Sequence, residues 1–297
     1  MSVLERELLV APPPAAPPRR TLLIAGRVLT LVGLLLALVL AAPFLIGGLQ
    51  HARAQQLASD ELVETVAGGP RPSLEPGVLA PAPARGSAVA LLEAPSIGLE
   101  EVVLEGSGPD DLQDGPGHLR DSPLPGQVGN VVVLGRRTTF GAPFARLDRL
   151  REGDRITLTT AQGVFPYRVA LLSQQSAGQA DLTSATADAR LTLVTSDPAL
   201  RASRRLVVVA ALDGSRVAQV QARERSIDAS ELGATADPSA PFAALVWLQV
   251  LLVAAGLTLL ARRSWRPMAT YLVCAPVLTV VALQLSDAVV RLLPGTL

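Results

Sequence analysis

Cysteine is nearly absent from these 297 residues, and lysine is missing altogether. The lone Cys274 excludes a disulfide within the chain and any centre built from several thiolates. It lies in an apolar run, where a thiolate would be desolvated, so it reads as a small hydrophobe and not a nucleophile. Without lysine, arginine supplies all the fixed positive charge. The 26 basic residues match 26 acidic ones, and the formal net charge is zero. That balance offers no cationic face to nucleic acid. Histidine occurs only 2 times, and aromatic residues make up 3% of the chain. What fills the space is aliphatic: 49% of residues are hydrophobic, a high share for a soluble protein, and the excess is gathered in three blocks. The Ala-, Pro- and Arg-rich bias points to a GC-rich genome, and on composition alone to an actinobacterium.

The first block, Val28 to Gln50, contains no charge. At about 1.5 Å per residue it is long enough to cross a hydrocarbon core of about 30 Å. Ala52-Arg53-Ala54 has the small-x-small form of a signal-peptide cleavage site, but the run is longer than a signal h-region of about 7–15 residues, which favours an uncleaved anchor. Pro241 to Ala261 and Met268 to Ser286 form a second and a third span, separated by a basic loop with Arg262, Arg263, Arg266 and an interfacial Trp265. Positive residues favour the cytoplasmic side, so this loop and the N-terminus, with Arg19, Arg20 and Arg27, are expected inside. Asp287 and Arg291, four apart at the end of the third span, are expected to pair at the outer interface.

The expected organisation follows. Residues 1–20 form a cytoplasmic tail, 21–50 the first membrane helix, 51–86 a Pro-rich extracellular linker, and 87–213 a folded domain. A polar linker over 214–239 then leads to membrane helices at 240–261 and 268–290, joined by the loop 262–267, with a short extracellular tail at 291–297. Arg53 to Ala67 can continue the first helix, and Ala11 to Pro18 and Gly68 to Gly86 are too Pro-rich for a packed core. Inside the domain, short aliphatic runs alternate with Gly and Pro: Val89–Leu92, Glu101–Leu104, Val131–Leu134, Ile156–Thr159, Tyr167–Leu172, Leu191–Thr195 and Leu206–Val209. Helical signals are limited to Pro109–Gln113 and Phe144–Leu150. Many short strands with little helix predict a mainly β, closed or nearly closed barrel.

Two segments are more specific: GNVVVLGRRTTFGAPF, Gly129 to Phe144, and RLTLVTSDPALRASRRLVVVA, Arg190 to Ala210. Together with Ala94-Pro95-Ser96-Ile97-Gly98-Leu99, Gly115-Pro116-Gly117-His118, Leu124-Pro125-Gly126 and Leu147-Asp148-Arg149-Leu150, they make the domain resemble the sortases, most closely classes D, E and F. The resemblance runs from about Ala88 to Leu212. It implies the sortase β-barrel. It also implies the family reaction, in which a cysteine thiolate attacks the threonyl carbonyl of an LPxTG-like sorting signal. A histidine protonates the leaving amine, and an arginine steadies the developing charge.

On the positions of this chain, the resemblance puts Arg136 where the histidine stands, Ser196 where the cysteine stands, and the arginine at Arg205. Arg204 would face the other way on an extended strand. A serine hydroxyl needs a general base within reach, and a guanidinium keeps its proton and cannot be one. Asp197 follows Ser196 directly and points to the opposite face. His118, the domain's one histidine, falls in the Gly-Pro-Gly-His loop and is expected to order that loop through a hydrogen bond. The implied protein is a membrane-anchored pseudo-sortase, catalytically inactive and acting in binding or scaffolding at the cell surface. The alternative is an active serine-dependent peptidase or transpeptidase on the same fold. No cofactor or metal is implied. The partners implied are the membrane and either sorting-signal peptides or an active sortase. Arg136 and Arg205 as two guanidinium forks beside a hydroxyl would suit an anionic or peptide ligand. Against this stands the simpler expectation that Arg136 turns to solvent or pairs with a nearby acid. Leu293-Pro294-Gly295-Thr296-Leu297 echoes the start of a sorting signal, but it follows the last span and lacks Gly after Thr, so it is read as a chance match.

Overall fold

The eight strands of the computed structural model close on themselves in the order β1-β2-β3-β4-β7-β8-β6-β5. The structure describes residues 19–68, 82–176, 186–198, 203–216, 231, 239–292 and 296. The expected Pro/Ala-rich tail, most of the Pro-rich spacer and most of the second linker therefore lie outside the described residues.

Seven strands form where aliphatic alternation was bounded by turn residues: β1 (Ala88–Ala94), β2 (Leu99–Glu105), β4 (Gly129–Leu134), β5 (Arg155–Thr160), β6 (Gly163–Ser176), β7 (Ala189–Asp197) and β8 (Arg204–Leu212). The exception is β3 (Gly117–His118), which the sequence marks as loop. Two residues are too few to show a period, yet Gly117 and His118 bridge β2 in parallel and β4 antiparallel, and they complete the ring. The expected helical signals appear as a single turn, α2 (Asp111–Asp114), and a 3-10 turn at Leu147–Arg149.

Alternation sorts the side chains into two layers. Leu191, Leu193, Leu206, Val208 and Ala210 point into the barrel with Leu92, Ile156, Leu158 and Tyr167. Val194, on the opposite face of β7, joins Val132 and Leu134 of β4 under Leu112 and Leu119. This outer layer places α2 over the ends of β4 and β7. It forms one wall of the site described below.

The apolar blocks form three helices long and apolar enough to cross a membrane: α1 (Arg19–Ala67), α3 (Ala240–Ser264) and α4 (Pro267–Val290). Val39, Leu251, Leu278, Val281, Ala282 and Leu285 pack the three together, and Ser286 Oγ donates to the Val39 carbonyl at 2.9 Å. At about 1.5 Å per residue the 49 residues of α1 span about 74 Å, well beyond a bilayer core of about 30 Å. Its last turns lie on the barrel. Ala58 and Leu62 cover Val102 and Leu104. Gln55 acts as a strand edge: its Oε1 accepts from the Val102 amide at 2.7 Å, and its Nε2 donates to the Val102 and Asp114 carbonyls. His51 Nε2 lies 3.1 Å from the Glu101 carboxylate, with Gly141 against its ring. Gly141 has φ +74°, and a Cβ there would sit 2.2 Å from the imidazole, so glycine is required on both counts.

Candidate functional site

The site lies where β4 and β7 end side by side. The parallel register pairs Leu134 with Val194, and the Gly135 amide donates to the Val194 carbonyl at 3.1 Å. Continued by two more pairs of residues, the ladder would set Arg136 beside Ser196. It stops instead, because Gly135 passes under the Phe144 ring so closely that a Cβ would lie 2.5 Å from it. From there the chain turns, and the two arginines separate.

Arg136 is drawn beneath α2 and is 1% exposed. Its Nε donates to the Leu112 carbonyl at 3.0 Å, Nη2 to the Pro109 carbonyl at 2.6 Å, and Nη1 to Thr139 Oγ1 at 3.2 Å. Its guanidinium also stacks 4.8 Å from the centroid of Phe140. Burial pushes its pKa down to about 10, partly countered by Asp110 and Asp287. The group therefore remains a cation at neutral pH. Arg136 neither forms a fork beside the hydroxyl nor turns to solvent: it is an internal strut tying α2 to the loop after β4. Phe140 and Ala142, both at φ +49°, carry the backbone strain of that loop.

Arg137 takes the place beside Ser196. Its Nη1 donates to the Ser196 carbonyl at 3.1 Å, and its guanidinium lies 3.2 Å from Asp148 and 3.7 Å from Asp197. Nothing in the sequence distinguishes Arg136 from Arg137. Which of the two enters the site depends on the turn at Gly135.

Ser196 and Arg205 are cross-strand partners and share the outer face of the barrel, with Ser196 1% and Arg205 3% exposed. Burial lowers the pKa of Arg205. Arg204 is exposed and lies 3.4 Å from Asp197, as alternation requires. The Ser196 hydroxyl donates to the backbone carbonyl of Thr296 at 2.8 Å, and the Arg137 amide donates to the same oxygen at 3.2 Å. Thr296, read from the sequence as part of a chance echo, is 2% exposed.

His118 serves another purpose. Its Nδ1 is 2.8 Å from Glu105 Oε2, and its Nε2 is 3.0 Å from both the Pro123 carbonyl and Ser122 Oγ. A carbonyl only accepts, so Nε2 keeps its proton, and a further proton lies between Nδ1 and the carboxylate. Both partners are almost fully buried. The expected single loop-ordering hydrogen bond is thus a buried pair that closes the β3 bridge and holds the loop after it.

Residues 92–213 match the family model described as the sortase domain. Among curated proteins, Sortase D of Bacillus subtilis is 38% identical over 87 residues, which is 29% of this chain and 42% of that protein. Sortase SrtE1 of Streptomyces coelicolor is 32% identical over 127 residues, 40% of this chain and 34% of that protein. The matches therefore span less than half the length of either relative. A solved sortase E from Streptomyces avermitilis is 30% identical with a TM-score of 0.41, the match covering 44% of this chain and 91% of that one. Over residues 92–213 the barrel is therefore similar to the sortases. The three long apolar helices lie outside residues 92–213.

Proposed function

We propose that this chain is a membrane-anchored pseudo-sortase whose groove binds peptide carbonyls without cleaving them. The observation that supports this best is the hydrogen bonding around Ser196. Its hydroxyl is spent as a donor to a carbonyl oxygen, whereas a nucleophile must approach the carbonyl carbon with a lone pair. The two groups that could take its proton are engaged elsewhere. Both ring nitrogens of His118 are held by Glu105, Pro123 and Ser122, and Asp197 is held between Arg137 and Arg204. Arg136 is a buried cation that accepts no proton. Ser196 and the Arg137 amide therefore supply the donor half of an oxyanion-type site, with no partner for proton transfer. Arg205, buried on the same face and paired across the strands with Ser196, provides positive charge there.

The same reading places the barrel outside the cell, with the N-terminus and the loop at 262–267 in the cytoplasm. The basic residues around α1 and in that loop support it, as does the position of the barrel between α1 and α3 in the chain. The groove's partners would be sorting-signal peptides or an active sortase presenting them.

The test uses the full chain in nanodiscs with LPxTG- and LAxTG-type peptides and an amine acceptor. The unaltered chain is expected to bind peptide without turnover. Turnover by the unaltered chain that disappears in Ser196→Ala would overturn the proposal in favour of a serine-dependent enzyme. A Ser196→Cys, Arg136→His double variant that gains turnover would support a preserved groove with lost chemistry.

A further inference from the structure

Thr296 lies 100 residues beyond Ser196 in sequence, yet its carbonyl receives both donors that converge on the site. The residue is buried, so the contact is more than a surface brush. It is also positioned from below. The end of α4 is tied down by Arg291, which lies 3.0 Å from Asp287 on its own helix and 3.3 Å from Asp110 at the start of α2. The next residue, Pro109, holds Arg136 through its carbonyl. One wall of the groove therefore anchors the helix from which the segment emerges, and Thr296 follows Leu292 by four positions.

The residues leading into Thr296 are Leu293-Pro294-Gly295. The order Leu-Pro-x-Thr is that of the peptide which the family resemblance assigns to such a groove, with the threonyl carbonyl as the recognised group. Here that carbonyl belongs to the chain itself.

We infer that Thr296 is a resident ligand of the barrel, its backbone carbonyl standing in cis where the threonyl carbonyl of a sorting signal would stand. This rests on the reading of the site as a peptide-binding groove. The Ser196 hydroxyl and the Arg137 amide clasp the threonyl carbonyl, and no bond is made or broken. The tether is short, so the mimic is present at an effective concentration in the millimolar range. A peptide arriving in trans must displace it. The site is thus closed to weak ligands and yields only to one of higher affinity or local concentration.

Two measurements on the full chain in nanodiscs test this, comparing it with a truncation after Leu292. The first is the affinity of a fluorescent peptide containing Leu-Pro-Gly-Thr-Leu. The second is hydrogen exchange at the Arg137 amide, which reports the cis contact with or without any added peptide. Truncation is expected to tighten peptide binding by about tenfold or more and to speed exchange at Arg137. If both chains bind the peptide equally and Arg137 exchanges alike, cis occupancy is overturned and the peptide groove stands. If neither chain binds peptide but truncation deprotects Arg137, cis docking holds and recognition in trans falls. If neither binds and Arg137 is unchanged, both fall. Unaltered exchange at the Leu158 amide, on β5 across the ring from β4 and β7, would show that the truncated chain is folded.

Discussion

Replacing Arg136 with methionine distinguishes a structural strut from a ligand-binding fork, and the structure sets the size of the effect. Methionine keeps much of the volume of the side chain but makes none of its hydrogen bonds. Two buried carbonyls, of Pro109 and Leu112, lose their donor. An orphaned buried acceptor costs about 1–3 kcal/mol, so the pair contributes roughly 2–6. The stacking on Phe140 adds about 1 kcal/mol. Against this, the native state already bears the desolvation of the guanidinium. The fall of its pKa to about 10 corresponds to roughly 3 kcal/mol, which the variant recovers. The net expectation is a loss of about 0–4 kcal/mol, centred near about 2. With urea m-values of about 1–3 kcal/mol per molar, the unfolding midpoint of the barrel should fall by about 1 M. Pulse proteolysis of the full chain in detergent, read on barrel fragments, measures that midpoint.

The pH dependence follows from the same residue. Below pH about 10, Arg136 is protonated in both the folded and the unfolded chain, so the gap between the unaltered protein and Arg136→Met should stay constant from pH 6 to 9. Above pH about 10 the folded state sheds this proton first and the unfolded chain holds more. Stability from this residue then rises with pH, and the gap widens. An unchanged midpoint together with lost peptide binding would refute the strut and return Arg136 to the ligand.

Other substitutions probe the remaining supports. In Tyr167→Phe the buried Gly126 amide loses the phenolic acceptor at 2.9 Å, and a loss of about 1–2 kcal/mol is expected in the same urea assay. Burial raises the pKa of Tyr167 to about 12, so the folded state keeps its proton while the unfolded chain loses it. The unaltered chain should therefore lose stability as pH rises from about 10 to 12, and Tyr167→Phe should lose less. His118→Ala strands the buried Glu105 carboxylate and should cost about 3–5 kcal/mol, with Glu105→Leu in the same chain restoring part of it. Equal midpoints for the single and double variants would show that the pair is uncoupled. Gln55→Ala removes the side chain that pairs with Val102, so hydrogen exchange at the Val102 amide should accelerate while the barrel core stays protected.

Much of the barrel was legible in the amino-acid order because its signals are local. Val131–Leu134 and Leu206–Val209 are runs rich in β-branched residues closed by glycine or charge, and they form strands within three residues of the expected bounds. Alternation also chose Arg205 over Arg204 as the buried arginine, since the side-chain period of a strand is two wherever the strand lies. The uncharged runs read as spans became helices for an equally local reason: a long aliphatic run satisfies its own backbone within a helix.

The site itself was decided by contacts that no period encodes. Gly135 ends the ladder, and the approach of Phe144 there turns Arg136 under α2 and admits Arg137 to Ser196. The strand β3 exists only because β2 and β4 flank it. Thr296 meets Ser196 from 100 residues away, and α4 ends against Asp110. Sequence alone put Ser196 and Arg136 at positions where the family resemblance expects a cysteine and a histidine, because residue identity is read directly from the chain. Only the tertiary structure decided what the substituted residues do instead, because a hydrogen bond between positions 100 residues apart depends on where the chain returns in space.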